Sequence, residues 1–298
     1  MTNGDAIHRA ASALRTALAG KPMVRFDAPC LVGPAPQAGR VLERIESRGK
    51  HVEMVWDDNV VLHTHLRMTG SWHVYRQGEQ WRKPYQQMAA TIEVDGWVAA
   101  CFNAPTVETY RVPDKRRHPG MGRLGPDLCE PGTDLGGVVN LLLSFGDGAA
   151  QIGEVLLDQR VMSGVGNVHR CEVLWVLGLS PFARVDALSE PDAVGIVNTA
   201  ATMLRTNLQR ANQCTVSGVS GLPGVRPALA VYGRNGQRCQ RCGETIDSQP
   251  LGQHGRVLYW CRGCQNHLSP QQSARPDDTP MDPHPAAQAY LASLPWNR

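Results

Sequence analysis

Cys239-Gln-Arg-Cys242 and, eighteen residues further on, Cys261-Arg-Gly-Cys264 form the stretch that decides the fold of the C-terminal part of this chain. Each Cys-x-x-Cys pair suits one tight turn that presents two thiolates to the same ion, and two such turns complete a tetrahedral site. The alternative is four unrelated buried thiols, which requires two such pairs to arise independently at this spacing. We therefore predict that Cys239, Cys242, Cys261 and Cys264 bind one structural Zn²⁺.

The residues between the two cysteine pairs indicate what the metal holds in place. Residues 256–260, Arg-Val-Leu-Tyr-Trp, are strand-like, and residues 251–255, Leu-Gly-Gln-His-Gly, carry the turn signals of a hairpin. We expect the zinc to pin a β-hairpin, with Arg256 near its tip.

Length and composition predict two domains and a small metal module. The chain has 298 residues, of which 42% are hydrophobic and 19% charged, enough to bury more than one core. The net charge of +3 does not by itself indicate a polyanionic partner, so local clusters of charge matter more than the sum.

The cysteine count and the absence of targeting segments predict a cytoplasmic protein. There are nine cysteines, an odd number, and those outside the metal set have no partner at a recognisable spacing, which favours a reducing compartment. No run of eighteen apolar residues occurs, and no basic and apolar leader follows Met1, so we expect neither a membrane span nor a secretion signal.

The N-terminal half predicts one helix followed by a β-sandwich or barrel. Residues 5–19 place apolar side chains at helical spacing, with Asp5 available as a cap and Gly20 as the stop. Short β-branched or aromatic runs separated by turn residues then indicate an antiparallel sheet structure. The predicted strands are residues 23–26, 41–45, 52–56, 60–65, 72–75, 91–94 and 97–102. The basic, glycine-rich residues 114–126 are expected to form a loop or linker.

The rest of the chain predicts a helical domain before the metal module. Helical periodicity occurs in residues 137–145, 154–161, 168–177 and 191–209. Residues 214–227 have the composition of a mobile loop, and the proline-rich residues 269–298 that of a disordered tail. The predicted class is α+β, with domains at residues 1–125, 126–228 and 229–268 and the tail at 269–298.

Three further stretches are candidates for nucleic-acid contact. Ser163-Gly-Val-Gly-Asn167 leaves backbone N–H groups at a helix start, where an anion is favoured, although the spacing alone favours an ordinary helix connection with Gly as the cap. Ser47-Arg-Gly-Lys50 places basic residues at a strand end, where solvated surface is the alternative. His65-Leu-Arg-Met-Thr-Gly70 places Met68 in a turn, either as a core filler or as a wedge between base pairs.

In this order, these stretches resemble the formamidopyrimidine-DNA glycosylase and endonuclease VIII family of base-excision repair enzymes, from Gly4 to His267. The stretch from Phe102 to Glu108 and the ending Tyr259-Trp260-Cys261 favour the endonuclease VIII branch. The matching segments are Gly4-Asp5, Ser47-Arg-Gly-Lys50, His65-Leu-Arg-Met-Thr-Gly70, Phe102-Asn-Ala-Pro-Thr-Val-Glu108, Arg123-Leu-Gly-Pro-Asp127, residues 157–172, and Val231-Tyr-Gly-Arg-Asn-Gly236 leading into the four cysteines.

The resemblance implies an N-terminal β-sandwich, a helix-two-turn-helix domain and a zinc finger that together bind damaged double-stranded DNA as a monomer, without a membrane partner. By position, Lys50 matches the lysine that contacts phosphate beside the lesion and assists elimination. Asn167 and Arg256 match the residues that bind the same phosphate region. Met68 matches the residue that fills the gap left by the flipped nucleotide, and Arg67 and Arg123 fall where the family carries further DNA contacts.

The N-terminus departs from the family, which begins Met-Pro-Glu-Gly with proline as nucleophile and glutamate as general acid and base. Here Thr2 and Asn3 occupy those positions, since Gly4 and Asp5 remain in register. An α-amino group with a pKa of roughly 8 still allows Thr2 to form a Schiff base once Met1 is removed. Asn3 cannot transfer a proton, and such help is typically worth about a hundredfold to ten-thousandfold.

Three hypotheses follow from the N-terminus. The first is a glycosylase with altered chemistry, in which Asp5, Glu172 or water replaces the missing acid. The second is an inert binder of damaged DNA, which has kept the phosphate contacts and lost the nucleophile. The third is unmodified family activity with full β,δ-elimination, with which Thr2 and Asn3 are least compatible.

Overall fold

The computed structural model describes residues 4–67, 69–117, 123–215, 229–253 and 255–270. The chain divides into two compact units, Met1–Leu124 and Gly125–Arg298. Among the described residues no helix combines the length and the apolar character that a bilayer crossing requires.

The first unit begins with the predicted helix, α1 (Gly4–Leu18). Its buried face includes Ile7, Leu14 and Leu18, at the spacing that the sequence indicated. Gly20 follows in the left-handed conformation with φ +75°, as expected of a helix stop. Asp5 lies inside the first turn and therefore is not the residue that precedes the helix.

Two antiparallel four-stranded sheets follow, in the strand orders β1-β6-β7-β5 and β2-β3-β4-β8. Apolar side chains from both sheets and from α1 share one core, so the predicted β-sandwich is confirmed. The strands are β1 (Met23–Asp27), β2 (Leu42–Arg48), β3 (His51–Trp56), β4 (Val60–His65), β5 (Ser71–Arg76), β6 (Met88–Val94), β7 (Trp97–Phe102) and β8 (Thr106–Arg111).

Strand β8 was not predicted, although its sequence Thr-Val-Glu-Thr-Tyr-Arg carries the signal of a half-buried strand. Val107 packs in the sandwich core, while Glu108 and Tyr110 point to the other face of the sheet. Polar residues at alternate positions look like a solvated segment in the sequence. β8 adds a fourth strand beside β4 and places these two side chains next to those of β3 and β4.

The second unit is helical up to residue 215, with one short 3₁₀ helix, Val185–Ala187, between α4 and α5 among the described residues. Its helices are α2 (Leu135–Leu143), α3 (Ile152–Val155), α4 (Asn167–Leu177) and α5 (Glu190–Thr215). They share a second apolar core that includes Val138, Leu174 and Ile196. Helix α5 starts at a reciprocal cap in which Ser189 Oγ accepts from the Asp192 N–H while Asp192 accepts from the Ser189 N–H.

The predicted helix over residues 154–161 is wrong, because α3 ends at Val155. The side chain of Asp158 accepts a hydrogen bond from the Arg160 N–H, and the chain turns there instead of continuing the helix. Cys214 and Thr215, predicted as the start of a loop, belong to α5. Residues 216–227 of that loop and residues 271–298 of the predicted tail lie outside the described residues.

The C-terminal hairpin is confirmed and consists of β9 (Ile246–Leu251) and β10 (Arg256–Cys261), paired antiparallel. Arg256 opens β10 opposite Leu251, so it lies at the turn end of the hairpin as predicted. Leu258 and Trp260 pack with Trp175 of α4 in a third apolar cluster. The metal module therefore shares a core with the helix that carries the Ser163–Asn167 candidate at its N-terminus.

Candidate functional site

The four predicted metal ligands lie together. Their Sγ atoms are all within 4.8 Å of one another, with 3.7 Å between Cys239 and Cys264 and 3.4 Å between Cys242 and Cys261. Four sulfurs at about 2.3 Å from a central zinc ion are separated by roughly 3.8 Å in a regular tetrahedron. The cysteine set therefore fits a structural Zn²⁺.

The turn that carries the first cysteine pair also favours a thiolate. Burial alone raises the pKa of the Cys239 thiol, but backbone N–H groups of Arg241 and Cys242 bring that pKa down to about 7. The Arg241 guanidinium lies 3.9 Å from the ring centre of Trp175 and donates to the Trp175 carbonyl at 2.9 Å. This contact fastens the turn to the C-terminal end of α4.

The N-terminal end of α4 is tied to the hairpin. Asn167 is buried, and its Nδ2 donates to the Val257 carbonyl at 2.8 Å. Arg170, one turn further along, donates to the carbonyls of Gly153 and Arg256. Two of the predicted phosphate-binding residues, Asn167 and Arg256, are thus brought together, and Asn167 helps to position the strand that begins with Arg256.

Arg256 lines a cavity of about 460 Å³ together with Glu154, Asp158, Arg160 and Arg170. Arg160 is paired with Asp158 at 2.6 Å, and Arg170 is engaged with backbone carbonyls. Among the described residues no carboxylate lies within ion-pair distance of Arg256. Arg256 is therefore the cation that this cavity offers to an anionic ligand.

Glu172 of α4 is a structural residue. Its carboxylate accepts hydrogen bonds from the backbone N–H groups of Ala230, Val231 and Tyr232 at 2.8 to 3.0 Å. Burial raises its pKa, while these three donors favour the ionised form. Because the donors occupy both oxygens, Glu172 anchors the segment that leads into the metal module and does not serve as the replacement acid.

In the first unit, Lys50 occupies a two-residue turn between β2 and β3. Gly49 adopts φ +58°, which such a turn requires, and Arg48 pairs with His51 across it. Lys50 is only 9% exposed, and its carbonyl accepts from the Leu66 N–H at 3.2 Å. The Lys50 turn therefore adjoins the 66–70 turn.

The 66–70 turn is closed by a hydrogen bond from the Gly70 N–H to the Leu66 carbonyl at 2.8 Å. Arg67 is exposed and adopts φ +43°, a conformation that side chains with a Cβ rarely hold. A Cβ on Gly70 would lie 2.5 Å from the Leu66 oxygen, so glycine is required there. Arg123 is exposed near the end of the first unit, whereas Met68, Thr2 and Asn3 lie outside the described residues.

Beside Lys50, the sheet β2-β3-β4-β8 carries a buried row of polar side chains. His51 Nδ1 lies 2.7 Å from His63 Nε2, and His63 Nδ1 lies 2.9 Å from Glu108 Oε1. The ring of His65 stacks on that of His51 at 4.1 Å. Burial, followed by the charges of His63, Arg67 and Lys50, lowers the pKa of His65 from 6.5 to about 4.

The second half of the same row joins Glu53 and Tyr110, whose hydroxyl donates to the Glu53 carboxylate. Burial, and then this hydrogen bond, raises the pKa of Tyr110. No sequence motif pointed to Glu53 or Tyr110 as site residues. The sequence does show polar side chains at alternate positions of β3, β4 and β8, which indicates one polar face on each strand. Only the pairing of the strands shows that these polar faces lie side by side.

Comparisons with known proteins cover both units. The family model described as "Formamidopyrimidine-DNA glycosylase N-terminal domain" matches residues 1–117, and "Formamidopyrimidine-DNA glycosylase H2TH domain" matches residues 137–218. The probable endonuclease 8 2 of Streptomyces coelicolor is 32% identical over 279 residues, which are 92% of this chain and 98% of that protein.

Two further matches extend over most of the chain. The DNA-(apurinic or apyrimidinic site) lyase Nei2 of Mycolicibacterium smegmatis is 33% identical over 267 residues, 89% of this chain and 99% of that protein. The fold matches Lactococcus lactis formamidopyrimidine-DNA glycosylase, solved with DNA containing an AP site, with a TM-score of 0.72. That match has 19% identity and covers 89% of this chain and all of the other. By these family models and full-length relatives, the chain belongs to the formamidopyrimidine-DNA glycosylase and endonuclease VIII family and is endonuclease VIII-like.

Proposed function

We propose that this protein is a base-excision-repair DNA glycosylase that acts on damaged bases in duplex DNA, with AP lyase chemistry altered by Thr2 and Asn3. The observation that carries the proposal is the buried Lys50 turn, which lies against a hydrogen-bonded polar row inside a unit that matches the family's N-terminal domain. A protein that only bound DNA would gain nothing from burying an amine beside imidazoles and carboxylates.

The proposed roles divide between phosphate contact and chemistry. Lys50, Asn167 and Arg256 bind the phosphates around the lesion. For Arg256 the support is its place at the hairpin end, where no carboxylate of the described residues lies within ion-pair distance. Arg67 and Arg123, both exposed, add further phosphate contacts. Such cations set much of the affinity for DNA and its dependence on salt.

A base cannot be attacked while it is stacked, so the enzyme has to extrude the nucleotide and fill the gap. Met68, which follows Arg67 in the sequence, is the proposed wedge. The α-amino group of Thr2, exposed by removal of Met1, is the proposed nucleophile at C1′, and Lys50 assists the elimination that follows. Asn3 takes no part in proton transfer.

The proposed cofactor is one Zn²⁺ on Cys239, Cys242, Cys261 and Cys264. The Sγ separations support it. When bound, the ion supplies no chemistry and fixes the base of the β9–β10 hairpin, and with it the position of Arg256. We further propose that the protein acts as a monomer on nucleoid DNA in the cytoplasm, with domains at residues 1–125, 126–228 and 229–268.

The second candidate is an inert binder of damaged DNA, which Thr2 and Asn3 favour because they replace the family's nucleophile and acid. Borohydride reduction of the full-length protein on an abasic-site duplex, followed by mass spectrometry, separates the two functions. The glycosylase proposal expects a covalent adduct on Thr2, or base release from a lesion duplex without trapping. Tight duplex binding with neither outcome contradicts it and leaves the binder.

A variant that keeps an extra residue before Thr2 is the matched control for the nucleophile. If the α-amino group of Thr2 attacks, displacing it abolishes trapping while duplex binding is unchanged. An adduct found on Lys50 instead would reassign the nucleophile to the buried lysine.

A further inference from the structure

The sheet β1-β6-β7-β5 carries a small aromatic cluster outside the sandwich core. Tyr75 of β5 and Phe102 of β7 are 1% and 0% exposed and pack in this cluster of their own. Residues 77–87, which join β5 to β6, place Trp81 against them. The connecting segment therefore folds back onto the sheet face that points away from the sandwich core.

The rings of this cluster continue to the protein surface. Trp81 stacks on Tyr75 with ring centres 6.2 Å apart and meets Phe102 edge-on at 5.6 Å. Tyr85 stacks on the other side of the series, with its ring centre 5.7 Å from that of Trp81 and an interplanar angle of 17°. Tyr85 is 61% exposed, and Trp81 is its one ring contact among the residues that the structure describes. The stack Tyr75–Trp81–Tyr85 therefore ends in an exposed aromatic ring.

The segment that carries the outer two rings is fixed to the sheet at two points. The Arg82 N–H donates to the Tyr75 hydroxyl at 3.2 Å, and the Gln87 carbonyl accepts from the Asn103 N–H at 2.8 Å. An exposed ring that is already held in place loses little conformational entropy when a ligand stacks on it. Burial of part of the segment explains Trp81, but it does not explain the exposed ring of Tyr85.

Two cations accompany the stack. Lys83 Nζ donates to Ser71 Oγ at 2.9 Å and lies 5.8 Å from the ring centre of Phe102. Burial, followed by the charges of Lys83 and Arg82, lowers the pKa of His73, so both cations lie near the same sheet face. Within the described part of the chain, neither cation has a carboxylate within ion-pair distance. The surface therefore offers positive charge beside an aromatic ring.

This combination fits a single-stranded nucleic acid. An unpaired base has a flat face that extends a stack of aromatic rings, and the phosphates of the same strand are the anions that neighbouring cations bind. A duplex offers no such face along its length, because its bases are already paired and stacked on one another. The one acidic residue of the segment, Glu79, is used locally, since its carboxylate accepts from the Arg76 N–H at 2.9 Å.

We propose that Trp81 and Tyr85, together with Arg82 and Lys83, form a binding surface for single-stranded DNA. One base stacks on the Tyr85 ring, and the two cations bind phosphates of the same strand. The surface goes beyond the proposed glycosylase function, because it requires neither Thr2 nor the contacts proposed around the lesion. Its ligand is a strand separated from its complement, with or without a damaged base.

Fluorescence anisotropy of a labelled oligothymidylate of about twelve nucleotides tests the ring. Tyr85→Ala in the full-length protein should weaken binding about tenfold, because one stacked base is lost. Tyr85→Phe keeps the ring and should keep the native affinity. Val24→Ala removes a side chain that is 59% exposed from β1 of the same sheet, and it should leave the affinity unchanged.

The salt dependence of the same titration tests the cations. Lys83→Gln should reduce the slope of log affinity against log salt by about 0.7, the value for one phosphate contact on a single strand. Lys21→Gln is the matched control, because Lys21 belongs to the same unit and donates to the Asp95 carbonyl. That control should leave the slope unchanged.

Three results overturn the proposal. They are a wild-type protein that does not bind oligothymidylate, a Tyr85→Ala affinity within threefold of the native value, and a Lys83→Gln slope equal to the native slope. A Tyr85→Ala variant that dissociates a wild-type dimer in sedimentation, without losing oligothymidylate affinity, would identify the surface as a contact between two copies of the chain and would also overturn it.

Binding to an abasic-site duplex separates this proposal from the proposed function. Tyr85→Ala should bind that duplex with native affinity. A protein that binds oligothymidylate through Tyr85, but neither traps on the duplex nor releases a base, contradicts the proposed function alone. Should Tyr85→Ala fail to fold, photocrosslinking of the wild-type protein to an oligonucleotide with 5-iodouracil decides the matter. A crosslink on Tyr85 or Trp81 is expected, and crosslinks confined to other residues refute the surface.

Discussion

Replacing Glu172 by glutamine removes one oxygen from the anchor that holds residues 230–232 against α4. In the native protein, Oε2 accepts from Ala230 at 2.8 Å, while Oε1 accepts from both Val231 at 3.0 Å and Tyr232 at 2.9 Å. A glutamine of the same shape keeps one oxygen and turns an NH₂ group towards the third N–H. The substitution therefore keeps the shape of the side chain but removes its negative charge.

The magnitude follows from the three bonds. One charge-assisted hydrogen bond is lost outright, at about 1.5 to 3 kcal/mol, and leaves a buried N–H donor facing another donor. The two remaining bonds weaken because the acceptor is no longer charged. We expect a loss of about 3 to 5 kcal/mol, a large share of the roughly 5 to 15 kcal/mol that stabilises a typical domain.

Hydrogen exchange measures this loss at the atoms concerned. Protection of the Ala230, Val231 and Tyr232 amides should fall by about a hundredfold or more, since each tenfold corresponds to about 1.4 kcal/mol. Glu244→Gln, which removes an exposed carboxylate from the same metal module, serves as the matched control and should leave protection unchanged. Protection in Glu172→Gln within threefold of the native value would refute the anchor role.

Three further predictions concern a helix end, an acid-sensitive histidine and the phosphate contact. Gly178 ends α4 at φ +67°, so Gly178→Ala should lower the free energy of unfolding by about 1 to 2 kcal/mol in urea titrations, whereas Gly195→Ala, inside α5, should not. The pKa of His65 is lowered to about 4 in the folded protein, so between pH 6.5 and 4 the unfolded chain binds more protons than the folded one. The free energy of unfolding therefore decreases as the pH is lowered through that window. With solvent screening taken into account, His65→Gln should make the decrease in the free energy of unfolding on acidification smaller by about 1.5 kcal/mol. Urea midpoints measured at pH 6.5 and 4.5 for both proteins check this. Arg256→Ala should weaken duplex binding and reduce the slope of log affinity against log salt by about 1; an unchanged slope in anisotropy titrations would remove Arg256 from the phosphate contacts.

Elements whose stability is local could be predicted from the sequence. Helix α1 and the strands from β1 to β7 follow from apolar spacing of 3.6 or 2 residues, and the metal module follows from two Cys-x-x-Cys pairs. The predicted helix over residues 154–161 failed because the side chain of Asp158 offers the backbone a competing hydrogen bond. The spacing of apolar residues does not show whether a side chain will form a competing hydrogen bond of this kind.

The polar row beside Lys50 could not be predicted for a different reason. His51, His63 and Glu108 are separated by up to 57 residues and meet only through the pairing of β3, β4 and β8. Strand register decides which polar side chains face one another, and a shift of one residue would send all of them to the other face. Lys50 itself was found because its position in a short basic motif carries the family resemblance.

The buried polar row also bears on the choice between an enzyme and an inert binder. The phosphate contacts proposed for Arg256 and Asn167 would serve both functions equally, because a binder needs the same phosphate-contacting groups. Keeping His51, Glu53 and His63 buried on one sheet face costs desolvation free energy that hydrogen bonds at best offset, and apolar residues of similar volume would stabilise the sheet at least as well. A binder gains nothing from that cost, whereas proton transfer beside a buried amine requires such groups. The interior of the first unit therefore argues for retained chemistry at the Lys50 turn despite the altered N-terminus.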